Sequence, residues 1–421
     1  MKKKTFKKIN EDIFIDKLSN GIDVYLYPTK KTKNFYMSIS VKYGAKVTKY
    51  KVDNKVYDII PGSAHFLEHK VMALSENKSI SQRINNLGSL ANAWTSYHGT
   101  NYNLFGSIDI KENLRLLLDI FYNINIDEKC VNEEKGIIGE EIDMYKDQID
   151  NYMYTSLYKN LFNKSYVKNT VVGEREDIEK ITASHLNTIY NHYYSPNNTF
   201  IIVCGDFIPE EIIDLLNEYM KNIKLKEVEI PKRLKAKEID KVAISYEEIK
   251  KNMKDDRVKY AIKLPKKTFG INDDVLLRYY LYIVLASNFS PTSNLYEEYR
   301  NNNIIINMGY GVNIVDDYVI ITINALCSNA NNFINQLEKD INKLTLTKET
   351  FERKKKLFLK AYIMDFDNIE DVEYNICTSI LMEGKINFNE FSYINSMTYE
   401  EAKRILSLID NTNSSIIRTI K

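Results

Sequence analysis

Little cysteine, no surplus of charge and no long apolar run are the first things to notice in this chain, and each absence closes off a class of protein. Four cysteines in 421 residues, Cys130, Cys204, Cys327 and Cys377, lie scattered with no C-x-x-C pair. That argues against a disulfide framework and against a thiolate zinc site, and leaves them as small buried side chains. Lys+Arg number 58 against 57 Asp+Glu, a formal net charge of +1, so no whole-protein field gathers nucleic acid or anionic lipid. The most apolar stretch, YYLYIVLA (279–286), is far short of the ~20 residues needed to span a bilayer. The opening MKKKTFKKINEDIF has a basic run but meets Asn10, Glu11 and Asp12 where a secretory signal has its apolar core. The expectation is a cytoplasmic protein with no membrane span and no nucleic-acid partner.

What is present is ordinary globular material. Hydrophobic residues at 44% and charged residues at 27% are enough for a core in each of two domains, the number the length suggests. IDVYLYPT (22–29) and FYMSISVKYG (35–44) alternate around a Lys-rich turn and read as a β-hairpin. HFLEHKVMALSE (65–76) follows a Pro-Gly-Ser entry and reads as a helix with Ser63 as N-cap. Two strands over 89–109, helices over 111–122, 127–148 and 176–191, a strand TFIIVCGD (199–206) and a helix over 209–223 complete the first half. Residues 224–240 are charged, hold a Pro and lack a hydrophobic period, so they read as a linker. A comparable succession then begins again: strands in AISYEE and VKYAIKLP, a helix over 274–287, strands over 304–313 and 318–326, helices over 330–343, 347–365 and 399–408, and a last strand SIIRTI. The class is α+β, with two similar mixed domains of sheet packed against helices, 1–223 and 241–421.

The chemistry concentrates in HFLEH (65–69). On a helix, His65 and His69 share a face one turn apart, and Glu68 lies three residues from His65 on that face. Two neutral imidazoles that can aim at one point, with a carboxylate near enough to take a proton from water there, suit zinc. A lone helical histidine is more often packed or solvated than ligating. The full H-x-x-E-H pattern, however, arises by chance in roughly one in two hundred chains of this composition. A catalytic zinc site also wants a third protein ligand, and EEKGIIGEEID (133–143) offers Glu134 and Glu141, two turns apart on one face, with Ile137, Ile138 and Met144 along the same side. Glu133 and Glu140 adjoin them and stay open as alternatives.

These residues resemble the insulinase/pitrilysin family of inverted-motif zinc metallopeptidases. HFLEH, the downstream E-K-x-I-I-x-x-E (134–141), NAWTS (92–96) with Thr100 and Tyr102, and TFIIVCGD stand in the family's order and at about its spacing. The likeness is strong over residues 15–225 and rests on element order beyond. It implies one Zn2+ per chain held by His65, His69 and Glu141, with Glu68 as the catalytic base and Glu134 supporting the site. It also implies that Asn92 and Ala93 lie on a strand that pairs with the backbone of an extended peptide substrate.

One region departs from the family. Members carry in the second half an Arg followed about two helical turns later by a Tyr that help bind substrate; here Arg300 and Tyr310 stand ten apart around NNNIIINM. Either an insertion still lets them reach the site, or a partner supplies the pair. The resemblance further implies one half of a clamshell chamber, hence a dimer, with a heterodimer of related subunits slightly ahead of a homodimer. Peptide or leader-peptide processing is the expected work, against a non-catalytic peptide-binding or assembly subunit of the same fold.

Overall fold

The structure, a computed structural model, describes residues 1–73, 78–223, 225, 227–251 and 253–420. Along the chain run β1 (Lys2–Phe6), β2 (Glu11–Lys17), β3 (Asp23–Pro28), β4 (Phe35–Val41), β5 (Lys49–Val52), β6 (Lys55–Asp58), α1 (Ser63–Met72), α2 (Lys78–Asn86), β7 (Leu90–Thr95), β8 (Thr100–Gly106), α3 (Ile110–Tyr122) and α4 (Glu128–Asp147). Next come α5 (Ile149–Leu161), α6 (Arg175–Ile178), α7 (Ala183–Tyr193), β9 (Thr199–Gly205), α8 (Pro209–Met220) and β10 (Lys232–Arg233). The remainder holds β11 (Tyr246–Lys250), β12 (Asp256–Pro265), α9 (Asp274–Phe289), α10 (Asn294–Asn301), β13 (Asn307–Val315), β14 (Tyr318–Cys327), α11 (Ala330–Ile341), α12 (Lys348–Met364), α13 (Ile369–Glu383), α14 (Glu390–Ser396), α15 (Tyr399–Leu406) and β15 (Ser414–Ile420).

Two compact units share these elements. The first is Met1–Met144, Asn169–Lys235 and Ile363–Phe388; the second is Tyr145–Lys168, Ala236–Tyr362 and Asn389–Lys421. The step from Lys235 to Ala236 falls inside the expected linker, but the chain crosses elsewhere too, so α5 belongs to the second unit and α13 to the first. A division into 1–223 and 241–421 therefore misplaces those helices. Each finds its apolar partner on a sheet built largely from the other half of the sequence, which no local pattern reports.

The first unit is built on a seven-stranded sheet in the order β1-β2-β3-β9-β4-β8-β7. Its middle strands β9 and β4 are buried at every residue because helices cover both faces. Alternate residues supply the two layers. Met37, Ile39, Val41, Ile201 and Val203 join a core with α1, α3 and α4, while Tyr36, Phe200, Ile202 and Cys204 join one with α13. The expected hairpin is not formed: β9 lies between β3 and β4, parallel to the first and antiparallel to the second. Alternation shows that both segments are strands, but not which strand lies beside which.

Other local expectations also change. The N-cap of α1 is Gly62 at φ 88, with Ser63 the first helical residue, and the stretch expected to continue that helix past Ala73 lies outside the described residues. A Cβ on Gly62 would meet Ile178 Cδ1 at 2.6 Å and Val172 O at 2.7 Å, so both the backbone angle and the close approach ask for glycine. Helix 176–191 is two pieces, α6 and α7. On α4 the buried face holds Val131, Glu134, Ile138 and Ile142, whereas Ile137 and Met144 are exposed. The four cysteines are free; three are buried and Cys130 is partly so. Among the described residues no helix is long and apolar enough to cross a membrane.

In the second unit the sheet runs β11-β15-β12-β14-β13. Lys263 of β12 is fully buried, lies over the rings of Phe162 and Tyr318 at 4.5 and 4.7 Å, and donates to Leu161 O, Ile239 O and Glu238 Oε1. Glu238 accepts in turn from the backbone N–H groups of Asn163, Lys164 and Ser165. Burial opposes its charge, but the backbone N–H groups of Asn163, Lys164 and Ile239, with Lys263, outweigh it and hold the carboxyl at about 2. The segment that reads as a linker is thus anchored at Glu238, as it is at β10, where Lys232 and Arg233 pair with β5.

Helix α13 meets the first sheet through a polar cluster. Glu373, 1% exposed, accepts from Ser38 Oγ and from Asn101 Nδ2, beside Cys377 and Ser40. Burial pushes its carboxyl up from 4.5 to about 7. Between those values the unfolded chain has lost the proton that the folded chain keeps, so this group's stability contribution is full below the lower value and lost as pH rises through the upper one. The difference amounts to about 3 kcal/mol. We expect Glu373→Gln to flatten the fall in thermal stability between pH 5 and 8; melting curves of both proteins across that range, with parallel pH dependence as the contrary result, check it.

Candidate metal centre

Helix α1 packs against β7, β8, α3 and α7 through Phe66, Leu67 and Val71, all fully buried, and this holds His65 and His69 toward α4. His65 is 7% exposed. From α4, Glu141 brings Oε2 to 3.5 Å from His65 Nε2 and 3.3 Å from His69 Nε2. Ligands about 2.0–2.2 Å from a tetrahedral zinc stand about 3.3–3.6 Å apart, so both contacts have the length of a tetrahedron's edge. The three donor atoms lie within 4.8 Å of one another, and this is the one such group of His, Cys, Asp and Glu among the described residues. Two imidazoles and a carboxylate at that separation fit zinc.

Supporting contacts differ between the two rings. Glu134 Oε1 accepts from His69 Nδ1 at 3.0 Å, which fixes that ring with Nε2 toward Glu141. His65 Nδ1 is buried and has no hydrogen-bond partner among the described residues. Glu140 and Glu133 point away: Glu140 is 85% exposed near Arg175, and Glu133 is 65% exposed near Lys129. The heptad separation that puts Glu134 and Glu141 inward necessarily turns their neighbours out.

Glu68 lies beside this group on α1. Thr95 Oγ1 of β7 donates to its Oε2 at 2.5 Å, and Thr95 Oγ1 lies 3.3 Å from Thr100 Oγ1. Burial is the main reason the Glu68 carboxyl is raised, with Thr95 opposing. Such a shift moves a carboxylate toward the range where a general base works. Burial and the neighbouring His69 push His65 down to about 4. Burial also resists charge on His69, but Glu134 and Glu141 together outweigh it and lift it to about 9. The same two carboxylates would favour a divalent ion at that point, which would take the place of the His69 proton. Hydrogen bonding from His69 holds Glu134 and Glu141 below the usual carboxylate value.

The other expected residues fall in both units. Asn92 is exposed on β7, its Oδ1 accepting from Ala93 N, and Ala93 turns inward to the α1 side of the sheet. Since β7 ends the strand order, no strand among the described residues pairs with its outer edge. Arg300 and Tyr310 belong to the second unit: Arg300 is exposed on the last turn of α10, and half-buried Tyr310 on β13 faces the ring of Tyr282 at 6.5 Å. Among the described residues no hydrogen bond or ring contact joins that pair. Two residues with direct contacts to the group went unnoticed in the sequence. Thr95 shares the inward face of β7 with Ala91 and Ala93, a signal that period two could have supplied; Lys70, whose ammonium reaches Glu134 Oε2 at 3.4 Å, had no such signal.

A donor set of two imidazoles and one carboxylate is the kind that zinc peptidases use. The chain belongs to the insulinase family, peptidase family M16. Residues 57–175 match that family's description, and residues 180–358 match the peptidase M16 inactive domain. It is similar to the zinc protease YmfH of Bacillus subtilis (strain 168), 30% identical over 295 residues that make up 69% of this chain and 68% of that protein. Mitochondrial-processing peptidase subunit beta of Dictyostelium discoideum is 22% identical over 427 residues, 96% of this chain and 88% of the relative. An M16-like peptidase from Alicyclobacillus acidocaldarius shares the fold with a TM-score of 0.88 at 22% identity, over 97% of this chain and 98% of that one.

Replacing His69 by Ala or Glu141 by Gln should weaken zinc binding by more than ~100-fold, while Glu140→Gln leaves it unchanged. Competition against a chromophoric chelator measures all three, and a loss with Glu140→Gln in place of Glu141→Gln would reassign the third ligand.

Proposed function

We propose that the chain is a zinc metallopeptidase that hydrolyses peptide bonds in extended peptides. The observation that carries this reading is the convergence of His65, His69 and Glu141 beside the half-buried carboxylate of Glu68. His65, His69 and Glu141 would hold a zinc ion, which would supply Lewis acidity toward water and a peptide carbonyl. His65 and His69 present neutral nitrogens to it, and Glu134 keeps the His69 ring in place. Glu68 takes the proton from the attacking water and hands it to the leaving nitrogen, with Thr95 holding the carboxylate in position.

The free edge of β7 supports a substrate added as a further strand along Asn92 and Ala93. Main-chain pairing reads little side-chain detail, so unfolded or leader-type peptides are the substrates. The respaced Arg300 and Tyr310 favour a dimer in which the substrate-binding pair comes from a related subunit, a heterodimer slightly ahead of a homodimer; the work is cytoplasmic. A second reading, a peptide-binding or assembly subunit without catalysis, draws on the match of residues 180–358 to a domain described as inactive. That stretch contains none of His65, Glu68, His69 or Glu141.

With the zinc-loaded chain, alone and with any co-purifying subunit, Glu68→Gln should lower cleavage of an unfolded peptide by ~100-fold or more while zinc stays at one per chain. Undiminished zinc-dependent cleavage by that variant would remove Glu68 from the role of base, and a wild-type chain that binds zinc without cleaving in either state would favour the non-catalytic reading.

A further inference from the structure

Lys70 follows His69 on α1 and is 6% exposed. Burying an ammonium is costly unless it is paired, and its one ion pair among the described residues is with Glu134, Nζ to Oε2 at 3.4 Å. Its second contact is the carbonyl oxygen of Cys130 at 3.3 Å, one turn before Glu134 on α4. The ammonium therefore grips the side chain of Glu134 and the backbone of the same helix. Glu134 divides its carboxylate between two tasks: Oε2 faces Lys70, and Oε1 accepts from His69 Nδ1 at 3.0 Å.

Formal charge points the same way. Glu68, Glu134 and Glu141 are three carboxylates in one largely buried cluster, and among the described residues Lys70 is the fixed cation that pairs with it. Three carboxylates, one ammonium and one divalent ion sum to zero. Lys70 reaches the group through Glu134, which stands between it and His69 in this chain of contacts. Without Lys70, a buried carboxylate would stand uncompensated, and turning away from His69 toward water is one route by which it would relax.

We propose that Lys70 is a positioning residue of the metal centre: it locks the Glu134 carboxylate against His69 Nδ1 and α1 against α4, so that His69 holds Nε2 toward the ion. The inference rests on the zinc reading given above. Because Lys70 acts through Glu134, its effect should vanish once Glu134 can no longer serve.

Zinc affinity of the full chain, measured by chelator competition for wild type, Lys70→Met, Glu134→Gln and the double variant, tests this. Outer contacts of this kind are worth ~10–100-fold in metal affinity, so Lys70→Met is expected to bind zinc about tenfold more weakly, and the double variant to bind as Glu134→Gln does. Unchanged or tighter binding by Lys70→Met, or losses that simply add, overturns the role. Should Lys70→Met not fold alone, the double variant against Glu134→Gln decides: equal affinity supports the coupling and a further loss refutes it. A wild-type chain that takes up no zinc would instead sink the metal reading itself.

Discussion

The hydrogen bond from His69 Nδ1 to Glu134 ties together residues 65 positions apart in the chain, and the rest of the site is arranged around keeping that bond short. An imidazole ligand left to rotate would not hold its nitrogen on one point, so the ring needs an acceptor behind it. The acceptor must itself be held, and it sits on α4 among Val131, Ile138 and Ile142, whose burial fixes the helix rotation. The same rotation brings Glu141 to the two Nε2 atoms. One apolar stripe thus places two carboxylates, and Lys70 pairs with the first of them, Glu134.

The sheet explains why α1 has no freedom to drift. Phe66, Leu67 and Val71 enter the core that Met37, Ile39 and Leu104 fill from the strands, so the helix with the histidines rests on a close-packed layer. On the opposite face α13 lies over Ser38, Ser40 and Asn101, and the polar groups there are satisfied by Glu373 and Cys377. A helix from late in the chain therefore completes the layer beneath strands from its beginning. Close approach at Gly62 and Gly173, where added Cβ atoms would strike neighbouring backbone, sets where α1 starts and hence which turn its histidines occupy.

Much of the site was legible in the residues because helical periodicity is a local property. His65, Glu68 and His69 share a face wherever the helix is placed, and Glu134 and Glu141 must fall two turns apart on α4. Phase was harder: Ile137 and Met144 read as part of the inward stripe, yet they are exposed, and Val131, Ile138 and Ile142 carry the burial. Strand identity was legible in the same local sense. Strand neighbours were not, since alternation in IDVYLYPT and FYMSISV fits a hairpin as well as it fits two strands with β9 between them.

What the sequence by itself determined is the inventory: an α+β chain, a helix with two potential ligands and a carboxylate, and a second helix with acids at the right interval. These follow from backbone geometry, which repeats every few residues. Only the tertiary structure decided which acid faces the histidines, that Thr95 meets Glu68, that Lys70 meets Glu134, and that α5 and α13 belong to the units opposite to their place in sequence. Each of those depends on apolar surfaces distant in the chain finding one another, and burial between distant segments leaves no periodic mark on either of them.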